Sequence, residues 1–139
     1  MRAAVVFYRD KKNPQELEQL AKGVLRGLQS QKGVTVDLIS LEPGMETRLS
    51  GYGYLALGVP RGTLLKGKLP GNFKELLSSC GHLVGKKAFA FVPSKLIGSQ
   101  KTLSNLMAAM EKEGIFLRFS EILTDAKHAE EVGAKLQVD

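Results

Sequence analysis

At 139 residues the chain has the length of one domain, spanning residues 1–139, enough to bury about two thirds of its unfolded surface without disulfide or metal staples. Hydrophobic residues make up 43%, and no apolar run approaches the ~20 residues of a membrane span, which excludes a transmembrane helix. The net charge of +6 points to anionic partners, but lysines and arginines are spread along the chain with no arginine-rich run and no aromatic-interleaved motif, which argues against nucleic acid.

The first element is a buried strand. Ala3-Ala4-Val5-Val6-Phe7-Tyr8 is continuously apolar, as expected where helices cover both faces of a parallel sheet. A helix then starts abruptly: Asn13 stands at the N-cap position, Pro14 at the first helical position and Glu16 three residues after the cap, which predicts an Asn-x-x-Glu capping box. Leu17, Leu20, Ala21, Val24, Leu25 and Leu28 form a stripe at helical spacing that must face a sheet, and Gly33 closes the segment. Val34 to Leu41 alternates apolar and polar residues over much of its length, the pattern of an edge strand with one face partly wet, and Glu42-Pro43-Gly44 ends it. Met45 to Ser50 has room for a short helical turn.

Tyr54 to Val59 is again continuously apolar, hence a central strand. After a loop from Pro60 to Leu69 comes a helix with Phe73, Leu76, Leu77 and Cys80 on one face. Ala88 to Val92 is a further buried strand; Ser99 then caps a helix whose inward face is Leu103, Leu106, Met107 and Met110, and Gly114 stops it. Ile115 to Leu123 makes the last strand and Ala126 to Leu136 the last helix. Such alternation implies right-handed crossovers and a parallel sheet with helices on both faces, an α/β three-layer sandwich. The apolar N-terminal run ends at Tyr8-Arg9-Asp10, too early for a signal peptide, and the lone cysteine forms no intrachain disulfide; both fit the cytoplasm.

Little in the sequence carries chemistry by itself. A strand feeding a helix N-terminus is the natural seat for a phosphate, yet the connecting residues Arg9-Asp10-Lys11-Lys12 include no glycine and no hydroxyl. Gly51-Tyr-Gly-Tyr-Leu-Ala56 matches a dinucleotide pattern but precedes a strand, where the mechanism needs it to open a helix. One cysteine with His82 and His128 cannot fill a four-ligand metal site, and Cys80, on an apolar face, reads as a buried inert thiol. Ser94 and Ser99 have no histidine partner. No catalytic residue and no metal ligand is assigned.

Several segments together resemble the flavodoxin family over essentially the full length. Asp37-Leu-Ile-Ser-Leu-Glu42 is similar to the end of the family's second strand, and Tyr52-Gly-Tyr-Leu-Ala-Leu-Gly-Val-Pro60 to its third strand with a Gly-x-Pro turn. Lys68-Leu-Pro-Gly-Asn-Phe-Lys-Glu-Leu-Leu77 resembles the family's Pro-Gly-x-Leu/Phe-Lys-x-Phe-Leu helix start, and Gly85 to Phe91 and Val132 to Leu136 also fit. The resemblance implies a five-stranded parallel sheet of order 2-1-3-4-5, with the ligand at the carboxyl ends of strands one and three. It further implies FMN as cofactor and electron transfer as the inherited role. A phospho-receiver domain shares that strand order but needs an aspartate at the end of strand three, where Gly58-Val59-Pro60 offers none.

The departures fall on the ligand loops. The family cradles the FMN phosphate in Ser/Thr-x-Thr-Gly-x-Thr; here stand Asp10-Lys11-Lys12-Asn13-Pro14, where Asp10 repels an anion, Pro14 lacks an amide, and only Arg9, Lys11 and Lys12 compensate as charges. The two later loops, which implicate Pro60, Arg61, Gly62, Thr63, Pro93, Ser94 and Lys95, contain no aromatic residue to sandwich a flavin. The implied geometry also gathers Arg9, Lys11, Lys12, Arg61, Lys66, Lys68, Lys95 and Lys101 at one rim, opposed chiefly by Asp10. Two functions are thus expected: a divergent flavodoxin-like protein with FMN binding weakened or lost, or a flavin-free module that binds an anionic small molecule or an acidic protein at that rim. Neither reading requires an enzyme, and any activity would be FMN-linked redox chemistry.

Overall fold

The computed structural model describes residues 1–9, 11–61, 67–94 and 98–139. Along the chain run β1 (Arg2–Tyr8), α1 (Pro14–Gln29), β2 (Thr35–Leu41), β3 (Tyr54–Gly58), α2 (Phe73–Ser78), β4 (Lys87–Pro93), α3 (Ser99–Lys112), β5 (Phe116–Leu123) and α4 (Ala126–Lys135). All strand pairings are parallel and the sheet order is β2-β1-β3-β4-β5. Because side chains alternate along a strand, each central strand feeds two cores. Ala4, Val6, Leu55, Leu57, Ala88 and Ala90 face α2 and α3, whereas Ala3, Val5, Phe7, Ala56, Phe89 and Phe91 face α1 and α4. These strands are apolar on both faces because both are covered.

The edges behave differently. β2 is half exposed, as its alternating pattern predicts. β5, at the other edge, carries Phe116 and Phe119 well exposed, and its pairing with β4 slips between Ala88 and Phe89: Ala88 lies opposite Leu117 but Phe89 opposite Phe119, leaving Arg118 as an extra, bulged residue. Among the described residues no helix is long and apolar enough to cross a membrane.

Three local expectations are corrected. Asn13 occupies the N-cap of α1 but its side chain makes no capping hydrogen bond, and the Glu16 carboxylate that would complete the box is engaged by Arg61, beyond the end of β3. The N-cap of α3 is Gly98, at φ +92°, and Ser99 is the first helical residue, its hydroxyl donating to the carbonyl of Pro93 at 3.3 Å. Residues 45–50 form no helical turn; the backbone amide of Leu49 instead bonds the carbonyl of Cys80 at 2.9 Å. A working side-chain cap sits on α4, where Asp125 Oδ1 accepts the amide of His128 at 2.8 Å.

These assignments predict unequal cap energies. Asp125→Ala should cost about 1 kcal/mol in urea melts, and Asn13→Ala less than about 0.5 kcal/mol. Equal losses from the two variants would contradict the assignment.

Candidate functional site

Parallel strands of this order leave a crevice at the carboxyl ends of β1 and β3, whose following segments depart toward opposite faces of the sheet. Of the residues that the sequence places there, Arg9, Lys11, Lys12, Asn13, Pro60, Arg61, Pro93 and Ser94 are described, while Asp10, Gly62, Thr63 and Lys95, and with them Lys66 of the expected rim, lie outside the described residues. Pro60 and Pro93 are buried at the ends of their strands; Lys11, Lys12, Asn13 and Arg61 are exposed. Two backbone donors at this edge are already committed, Arg9 to the carbonyl of Leu41 at 3.1 Å and Ser94 to that of Leu123 at 2.9 Å.

The electrostatics of the rim differ from the expectation. Among the described residues, glutamates oppose the cations. Arg61 Nε donates to Glu16 Oε1 at 2.8 Å while its Nη2 donates to Glu16 Oε2, a two-pronged pair that raises the Arg61 pKa, chiefly through the hydrogen bond. Arg9 lies 3.7 Å from Glu18 and 3.4 Å from Glu42, with its guanidinium over the ring of Phe7. Glu18 also meets Lys22 at 3.1 Å. The two arginines nearest the crevice are therefore neutralised within the chain. Lys11, Lys12, Lys68 and Lys101 are exposed at the carboxyl edge.

Beside the first turn of α1, Glu16, Arg61, Pro93, Ser94, Leu123 and Asp125 line a groove of about 300 Å³. It presents two carboxylates and one guanidinium. On the other side of the sheet Tyr8, the last residue of β1, donates its hydroxyl to Asn72 Oδ1 at 2.8 Å, tying the crevice to the start of α2. Sequence reasoning missed the roles of Glu16, Glu18 and Glu42 and this Tyr8–Asn72 bond; apart from Glu18, the partners lie far along the chain. Only the position of Glu16, one turn from the crevice, could have signalled its part.

The remaining candidates fall to structural roles. Cys80 is fully buried, its thiol donating to the carbonyl of Leu76 at 3.1 Å; burial first and Glu113 second push its pKa up to about 11, the signature of an inert thiol. His128 accepts the amide of Thr124 at 3.1 Å and lies 3.5 Å from Glu121. Among the described residues no group of three metal-ligating side chains converges. The Gly51 to Ala56 segment leads into β3 and is held by Lys86, whose Nζ donates to the carbonyls of Ser50 and Tyr52 at 2.9 and 2.6 Å.

No protein-family profile and no curated protein matches the sequence. Solved structures match it over almost its whole length. The oxidised flavodoxin 1 of Bacillus cereus is 19% identical with a TM-score of 0.72, covering 99% of this chain and 100% of that one. Flavodoxin 2 of the same organism is 17% identical at a TM-score of 0.72, with 94% of each chain covered, and a flavodoxin from the domain Archaea is 18% identical at 0.71, covering 96% and 94%. With its 2-1-3-4-5 parallel sheet and its two helical layers, the chain is a divergent bearer of the flavodoxin-like fold.

Proposed function

We propose that this protein is a divergent flavodoxin-like chain whose inherited role is FMN-dependent electron transfer and whose FMN binding is weakened or lost. The observation that carries the reading is the two-pronged Arg61–Glu16 pair at the first turn of α1. A flavin phosphate would bring a dianion to a helix end that already holds a carboxylate, with Asp125 on the same groove. Recruiting Arg61 to the phosphate would strip Glu16 of its partner. The pair is partly exposed, so its own strength is small, about 1 kcal/mol or less; what matters is the fixed negative charge.

The other donors do not make up the difference. Arg9 is shared between Glu18 and Glu42, Pro14 has no amide, and residues 9–13 bear no hydroxyl. No aromatic residue lies between 59 and 72 or between 94 and 98 to stack on a flavin ring. Each missing stack costs on the order of 1 to 3 kcal/mol by analogy with bases, so two weaken affinity by roughly a hundredfold or more. The residues present do not fit the cofactor.

Fluorescence titration with added FMN should therefore give a dissociation constant of about 1 μM or weaker. Glu16→Gln, which removes the competing charge and releases Arg61, should tighten it by about three- to tenfold at low salt. Nanomolar binding by the natural chain, or a Glu16→Gln variant that binds more weakly, would sink the reading.

A second reading, a flavin-free module for an anionic ligand or acidic protein, is favoured by the exposed Lys11, Lys12, Lys68 and Lys101 at the carboxyl edge. Clefts of one charge concentrate counter-ions, and the attraction fades over a Debye length of about 10 Å at 0.1 M salt. Pyrophosphate should then shift the amide resonances of these lysines at about 20 mM salt and much less at about 200 mM. Shifts of similar size on the outer faces of α1 and α4 would mark mere net charge.

A further inference from the structure

At the opposite end of the sheet from Arg61, the start of β3, the bulged part of β5 and the last turn of α4 enclose a pocket of about 330 Å³, the size of a small-ligand site. Tyr54, the first residue of β3, is one of its lining residues. The side chain is fully buried, and among the described residues its hydroxyl is the buried side-chain oxygen that lacks a hydrogen-bond partner. A buried hydroxyl in that condition forfeits the bonds that it made to water and calls for an explanation. Burial holds the phenol well above its ordinary pKa, with the Arg118 charge opposing, so the hydroxyl stays protonated and able to donate a hydrogen bond.

The other lining residues supply what such a donor would serve. In a regular strand Arg118 and Phe119 would point to opposite faces; the bulge at Arg118 lets both line this pocket. Phe119 is pinned by stacking on Phe89, ring centres 5.7 Å apart, yet is 48% exposed. From α4 come Val132 and Lys135, and just beyond it Leu136. The lining thus combines apolar surface, two cations and an unpartnered donor, and it contains no carboxylate.

We propose that this pocket binds a small aromatic carboxylate, its ring against Phe119, Val132 and Leu136, its carboxylate accepting the Tyr54 hydroxyl and facing Arg118 and Lys135. The volume suits a small ligand, and the two lining cations favour an acid over its neutral amide. The site is independent of the carboxyl edge and of any flavin.

Phenylacetate is a suitable probe, with phenylacetamide and acetate as controls, followed by amide shifts of the full chain. Phenylacetate should shift Tyr54, Arg118, Phe119 and Lys135 saturably, with a dissociation constant of about 1 mM or tighter, and both controls should bind at least about fivefold more weakly. Tyr54→Phe and Arg118→Gln should each weaken the probe by about fivefold, the worth of one hydrogen bond, while Lys74→Gln on the other face changes nothing. Because Tyr54→Phe removes an unpartnered hydroxyl, the free variant should melt no lower than the natural chain; if it does not fold, Arg118→Gln decides alone. The proposal is overturned by absence of saturation up to about 20 mM probe, by equal binding of phenylacetamide, by full affinity in Arg118→Gln, or by a self-associated form that covers Phe119 and excludes the probe.

Discussion

The structure turns on the contact between α1 and α4, where three glycines let two helices meet backbone to backbone. A Cβ on Gly23 would lie 2.6 Å from the carbonyl oxygen of Ala126, one on Gly27 would lie 2.6 Å from the amide of Ala134, and Gly133 meets the carbonyl of Val24 in the same way. No larger residue fits without moving a helix. Glycine in a helix costs about 1 kcal/mol against alanine, a penalty accepted here because the approach seals one whole face of the sheet over Phe89 and Phe91. Both ends of the molecule inherit this geometry. At the carboxyl edge it sets Asp125, the cap of α4, into the groove that Glu16 and Arg61 share; at the amino edge it lays the last turn of α4 over Tyr54.

What the sequence made legible follows from where the information is local. β1, β3 and β4 announce themselves because strands buried on both faces must be apolar throughout, and β2 because one of its faces is half wet. Strand order followed from family-like segments such as Lys68 to Leu77, which no periodicity could have supplied. The local reading failed where a distant residue outbid a near one. Glu16 has the spacing of a capping partner for Asn13, but an arginine 45 positions away offers it two charge-assisted hydrogen bonds. The same holds for the rim, whose arginines are charges in the sequence and ion pairs in the fold. The bulge at Arg118 leaves no trace in the pattern of β5, because it depends on how β4 and β5 meet.

The two edges of the sheet stand in contrast. The carboxyl edge, where this fold ordinarily receives a ligand, carries a glutamate in the first turn of its helix and holds its arginines in ion pairs within the chain. At the amino edge Tyr54, whose buried hydroxyl has no partner among the described residues, lines one pocket with Arg118 and Lys135. Divergence of this kind preserves the two cores, which tolerate only volume-conserving change, and rewrites the loops that carry function.

The central proposal is that FMN binding at the carboxyl edge is weakened or lost. The visible absorption spectrum of the freshly purified chain tests it most directly, since flavin colours a protein yellow and nothing else in this chain absorbs there. The account predicts a colourless preparation, and a yellow one carrying one flavin per chain would contradict it.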